Sequence, residues 1–214
     1  MDEPIYRHSD IGDGRQGRTM VAEMFKAGEK DVFYSDDRSE WRRWLEDHFE
    51  TEDEIWFAFP VKDSGIRGIE YNDAVEEALC FGWIDSTAGH FDERFHIRRF
   101  TPRRKGSTYS RPNIERLIMM DSKGLIHPKV RPQVAEMIQR EYVYPEDILK
   151  ELKEDDEVWR NFMSFSDPYK RIRVAYIDAA RHRPEEFRKR LDSFKSMTKR
   201  NRIITGYGGI DKYY

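Results

Sequence analysis

Residues 78–85 read A-L-C-F-G-W-I-D, and residues 94–113 read R-F-H-I-R-R-F-T-P-R-R-K-G-S-T-Y-S-R-P-N. Between them they spell the end of a helix, a strand, and a basic loop that runs into another helix. Ala74, Val75, Ala78 and Leu79 recur at helical spacing, Asn72 can cap that helix, and Gly82 marks its end. Residues 83–85 predict a short strand or turn. Residues 94–100 alternate, which places Phe95, Ile97 and Arg99 on one side of a strand and Arg94, His96 and Arg98 on the other. Pro102 and Gly106 open a loop. Ser110 can cap the helix beyond it, with Ile114, Leu117 and Ile118 facing inward.

Upstream, residues 54–62 (E-I-W-F-A-F-P-V-K) predict a strand, and Pro60 argues for an edge or bulge. Before it, Trp41, Trp44, Leu45 and Phe49 predict a helix capped by Ser35 or Asp36. Residues 1–34 read as an extended arm with one short helix around Met20, Val21, Met24 and Phe25. After Gly124 the pattern is helical, over about 131–140, 146–152, 156–164, 168–181 and 185–203. Pro128, Pro145, Pro168 and Pro184 each stand where a helix would begin. The expected fold is α+β: a small antiparallel sheet packed with helices, followed by a helical C-terminal segment. The expected organisation is an arm (1–32), an α+β core with the basic loop (33–125) and a helical region (126–214).

The 214 residues carry 37% charged and 14% aromatic side chains, which fits long amphipathic helices over an aromatic core and argues against disorder. The formal net charge of -3 gives no global attraction to nucleic acid. A single cysteine excludes an internal disulfide and a cysteine-cluster zinc site. His90 and His96 have no metal-like spacing with Cys80 or Asp85, so neither metal nor cofactor is expected. No apolar run approaches the ~18 residues of a membrane span. Met1-Asp2-Glu3-Pro4 begins acidic without an apolar run, so a cytoplasmic location is expected.

Against that acidic background, residues 94–114 hold seven Arg or Lys and no Asp or Glu. Arg99, on the apolar side of its strand, needs a partner, and Asp85 is the expected one. Asp85, beside Trp83 and Ile84, is equally a candidate general acid or base, or a turn cap. Arg94 and Arg98 are expected to be solvated. Cys80 lies near a helix C-terminus, where the dipole disfavours a thiolate, and reads as a packing residue. Arg103, Arg104, Lys105, Ser107 and Thr108 lead into a helix start, where free N–H groups favour anions. The loop lacks the phosphate-loop pattern G-x-x-x-x-G-K-[ST]. Trp83, Asp85, Arg99, Arg103, Arg104, Ser107 and Asn113 are therefore expected to line a site for a phosphate- or carboxylate-bearing small molecule. A nucleic-acid surface made of residues 94–111 and the basic last helix, or a protein-interaction module with no such site, are the alternatives.

These residues resemble the bacteriocin-protection family, also called YdeI/OmpD-associated. The resemblance rests on Trp44-Leu45, Ile55-Trp56, residues 71–85, residues 99–104, Ser107, Ser110 and Asn113. It continues through Ile177, Ala179, Ala180, Arg188, Arg190 and Leu191, so that it spans roughly 33–203. Tyr109 stands where the family usually has Trp, and Phe187 where Thr is common. The resemblance implies a link to bacteriocin, antimicrobial-peptide or envelope-stress resistance. It implies no reaction, cofactor or catalytic set.

Overall fold

The computed structural model describes residues 22–28, 30–206 and 211–214. It is α+β and divides into two compact units, Met1–Ser107 with Leu125–Val130, and Thr108–Gly124 with Arg131–Tyr214.

The first unit holds β1 (Glu23–Ala27), β2 (Lys30–Tyr34), α1 (Arg38–His48), β3 (Ile55–Pro60), α2 (Tyr71–Cys80), β4 (Trp83–His90) and β5 (Phe95–Pro102). The strands form one sheet in the order β1-β2-β3-β5-β4. Three pairings are antiparallel, but β2 and β3 run parallel, so the sheet is mixed rather than wholly antiparallel. A parallel pair needs a crossover, and α1 supplies it. The arm expected over residues 1–34 ends in a hairpin instead. Met24 and Phe25 lie in β1, not in a helix, while Met20 and Val21 fall outside the described residues.

Both sheet faces are covered, which is why β3 reads as an almost unbroken apolar run instead of an alternating one. On one face Phe33, Phe57 and Phe100 meet the indole of Trp41, at ring-centre distances of 5.4, 5.1 and 5.5 Å. On the other, Val32, Tyr34, Trp56, Ala58, Phe95 and Ile97 form a second cluster with Phe25, Ile66 and Phe91 against it.

Asp37, rather than Ser35 or Asp36, caps α1: its carboxylate accepts the Ser39 amide at 2.8 Å. Glu70, not Asn72, is the cap residue of α2. Two arginines of α1 bind carboxylates of α2. Arg38 pairs with Asp73 (2.9 Å), Glu76 (3.0 Å) and Glu77 (2.5 Å), and Arg42 pairs with Glu77 (2.7 Å). Glu76 and Glu77 are buried, so their charge is tolerated only because these guanidiniums neutralise it.

The second unit is helical: α3 (Arg111–Ser122), α4 (Arg131–Gln139), α5 (Glu146–Lys153), α6 (Asp156–Ser164), α7 (Asp167–Asp178) and α8 (Pro184–Lys199), then a single 3-10 turn, Asp211–Tyr213. The proline and periodicity signals place the last five of these α-helices to within a few residues. Val158, Phe162, Tyr169, Val174, Ile177, Leu191 and Phe194 are shared in one core. Asp155 caps α6 by accepting the amides of Glu157 (3.0 Å) and Val158 (3.2 Å). Arg171 of α7 grips buried Glu115 of α3 through two bonds of 2.7 Å.

Trp41 is fully buried, and its Nε1 donates to the Ala74 carbonyl at 3.0 Å. Trp41→Ala is expected to cost roughly 3–5 kcal/mol in urea unfolding. Val143→Ala, at a side chain 83% exposed, is expected to stay within about 0.5 kcal/mol of the parent.

Candidate functional site

Gly82 closes α2 in the left-handed region, at φ +73, and its carbonyl accepts the Arg103 amide at 2.9 Å. That bond ties the start of the basic loop to the start of β4. From there β4 and β5 pair as Trp83 with Pro102, Ile84 with Thr101 and Asp85 with Phe100, and the register breaks between Asp85 and Ala88. Residues paired across a ladder share a face, so Asp85 lies on the face of Phe100 and Arg98, and Arg99 lies on the other.

The expected Asp85–Arg99 pair is therefore not formed. Arg99 donates through Nε to the Glu54 carboxylate at 2.8 Å and makes a further short bond through Nη2. Glu54 lies just ahead of β3, where Trp56 is the register partner of Arg99. The alternation of residues 94–100 holds in the strand, with Phe95 and Ile97 buried on the face that Arg99 shares. The partner on that face is supplied by β3, which no local pattern reveals.

Asp85 instead accepts the Tyr71 hydroxyl at 2.5 Å. Arg98, expected to be solvated, lies with Nη1 3.9 Å from the same carboxylate oxygen and with its guanidinium 5.0 Å from the Tyr71 ring centre. Tyr71, Asp85 and Arg98 thus form a half-buried phenol–carboxylate–guanidinium cluster. The phenol orients the carboxylate, and the guanidinium lies over the phenol ring with its charge toward the same carboxylate. Tyr71 and Arg98 were missed as site residues because only the β4–β5 register and the start of α2 bring them to Asp85.

The other expected residues separate. Trp83 is buried and donates its indole N–H to the Phe49 carbonyl at 3.0 Å, so it is a core wall with its polar edge already used. Arg103 is half-buried, with Nε away from solvent. Arg104, Lys105 and Ser107 are exposed on a turn held by the Ser107 amide on the Arg104 carbonyl (3.1 Å), with Gly106 at φ +78. Among the described residues, Arg104 and Lys105 have no side-chain partner. Asn113 belongs to the second unit, where its carboxamide oxygen accepts from Arg116 at 2.7 Å. Ser110 sits at the N-cap of α3 but makes no side-chain capping bond.

Cys80 is buried. Burial pushes its thiol up to about 12, with Glu77 adding to the rise and Arg42 opposing it. That is the chemistry of a packing residue. Among the described residues no group of three or more His, Cys, Asp or Glu side chains could hold a metal ion, and no helix is long and apolar enough to cross a membrane.

The comparisons with known proteins divide the chain later than the structure does, because the first match takes in α3 of the second unit. Residues 33–133 match a family described as a domain of unknown function (DUF8412). Residues 141–201 match the family described as Bacteriocin-protection, YdeI or OmpD-Associated. Assignment to the YdeI/OmpD-associated family is thus supported over α5 to α8. The strings at 78–85 and 99–104, on which the resemblance chiefly rested, fall in the other match. No curated protein and no solved structure matches the chain.

Two measurements check this arrangement. Hydrogen bonds from Arg99 hold the Glu54 carboxyl below the usual glutamate range, against the smaller opposing effect of burial. Stability from a depressed carboxylate is present above its unfolded pKa and is lost as pH falls through the folded one. Arg99→Ala is expected to move the NMR titration of Glu54 up toward about 4.3, and an unmoved titration would dissolve the pair. Cys80 is expected to resist a thiol-specific disulfide reagent at pH 8 in the native protein and to react fully once unfolded.

Proposed function

We propose that this chain is a binding protein for an anionic small molecule bearing phosphate or carboxylate, and that the turn at residues 103–107 captures it. The observation that supports this reading is the free charge at Arg104 and Lys105. Arg38, Arg42, Arg43, Arg94 and Arg99 of the same unit are all held by carboxylates, whereas these two cations are exposed and uncommitted among the described residues. The Ser107 hydroxyl adds a neutral donor on the same turn. Each charge-assisted bond to an anion is worth ~1.5–3 kcal/mol, enough for a specific small-molecule contact. Arg98, Asp85 and Tyr71 supply a second polar group in the same unit.

In this reading the protein acts in the cytoplasm, and binding serves resistance to bacteriocins, antimicrobial peptides or envelope stress. The family match over residues 141–201 supports the connection to bacteriocin protection. The nucleic-acid alternative has less to draw on. Along α8, Arg188, Lys195 and Lys199 already pair with Glu151, Glu154 and Asp155, which lowers the charge available to a phosphate backbone.

The test is a thermal-shift screen of phosphate and carboxylate metabolites, followed by calorimetry on the hits. A ligand is expected to raise the Tm of the parent. The double variant Arg104→Glu/Lys105→Glu is expected to keep the unliganded Tm and weaken binding by about a hundredfold or more, the loss of two such bonds. A hit that binds the double variant as well as the parent removes the turn from the reading, and a screen with no hit removes the function.

A further inference from the structure

Helices α7 and α8 and the chain at residues 204–206 enclose a cleft of about 410 Å³ in the second unit. That is within the ~300–1,000 Å³ typical of small-molecule sites. Its floor is apolar: Ile177 and Phe194 lie in the core beneath it, and half-buried Tyr176 and Ile204 present the apolar surface. Its charged lining is unbalanced, with Arg173, Lys189 and Arg190 against the single carboxylate of Glu186. On α8 the spacing 186, 189, 190, 193 puts Glu186, Lys189, Arg190 and Ser193 along one helix face.

The cations differ in how they are held. Arg190 is fixed from two sides. Its Nε donates to Glu186 and its Nη1 to the Tyr176 carbonyl, both at 2.7 Å, with the guanidinium 3.8 Å from the Tyr176 ring centre. Its Nη2 is left without a hydrogen bond among the described residues. Arg173 is buried, and its Nη2 donates to the Ile204 carbonyl and to the Tyr214 hydroxyl, which pins the chain after α8 against α7. Lys189 is exposed and makes no hydrogen bond or close ion pair among the described residues, its charge acting on the Glu186 carboxyl one turn away. The Glu186 carboxyl, held below its usual range by Arg190, is neutralised within the cleft wall. The excess charge is therefore that of a pre-oriented guanidinium and a mobile ammonium at the mouth of an apolar hollow.

We propose that this cleft is a binding site for a small amphiphilic anion: a carboxylate, sulfonate or phosphate ester carrying an aryl or medium-chain acyl body. The anionic group lies between Lys189 and Nη2 of Arg190, and the apolar body rests on Tyr176 and Ile204, over Ile177 and Phe194. A free inorganic anion would leave that floor unused, and a neutral lipid would leave the cations unanswered. The site lies in the other unit from the turn at 103–107, so the two are tested independently.

The probe is anilinonaphthalene sulfonate, an aryl anion whose fluorescence rises on leaving water, with octanoate and its neutral analogue octanamide as competitors. Saturable one-to-one binding is expected, displaced by octanoate and not by octanamide. Lys189→Glu, at an exposed position, is expected to weaken it about tenfold or more, and Ser193→Trp, which fills the mouth, to abolish it. Arg104→Glu is expected to leave it unchanged. The proposal is overturned if the probe fails to bind the parent saturably, if octanamide competes as well as octanoate, or if Lys189→Glu binds as the parent does. The Lys189 variant keeps the outcome decisive even if Ser193→Trp does not fold.

Discussion

The first unit depends on one indole. Trp41 meets aromatic rings from β2, β3 and β5, stacks on Trp44 at a ring-centre distance of 5.3 Å, and donates to the carbonyl of Ala74 in α2. A fully buried indole must satisfy its N–H, and the partner it finds fixes how far α2 lies along α1. Around that point the arginines of α1 and the glutamates of α2 close a second, charged contact. The apolar and ionic constraints name the same helix pair, which leaves little freedom in their register.

The chain's high charge acquires meaning once the pairs are known. The paired cations are mostly committed to carboxylates of their own unit, some over long sequence separations, as with Arg99 and Glu54 or Lys199 and Asp155. Exposed pairs of this kind add little stability each. Their consequence is subtractive: they remove charge from the list of groups able to meet a ligand. Among the uncommitted cations, those of the turn at 103–107 and of the cleft beside α8 are the ones on which the two proposals rest. The buried pairs are a different matter. Buried Glu77 and Glu115 are each held by two guanidiniums, Arg38 with Arg42 and Arg111 with Arg171, so removing one partner would leave a buried polar group short of its contacts.

The helices of the second unit were legible because their signals are local. Proline marks the beginnings of α5, α7 and α8, and apolar residues at three and four spacing mark the buried faces. The strand 94–100 was legible for the same reason, down to the side on which Arg99 points. The hairpin of β1 and β2 was not. Its residues carry a helical reading as readily as a strand reading, and only pairing with β3 decides between them. Arg98 and Arg99 show the same limit. Alternation places each on its own face, but Arg98 meets Asp85 of β4, whose register breaks just beyond that residue, and Arg99 meets Glu54 ahead of β3.

By itself the sequence determined the α+β class, the positions of most helices, the burial of Cys80 and the concentration of cations at 94–111. All of these follow from composition and spacing within about a dozen residues. Only the tertiary structure decided that β2 and β3 run parallel, that Asp85 answers Tyr71 and Arg98 while Glu54 answers Arg99, and which cations remain uncommitted. Those are contacts between residues far apart in the chain. Side-chain reach and strand register select them, and neither is encoded in the periodicity of any one segment.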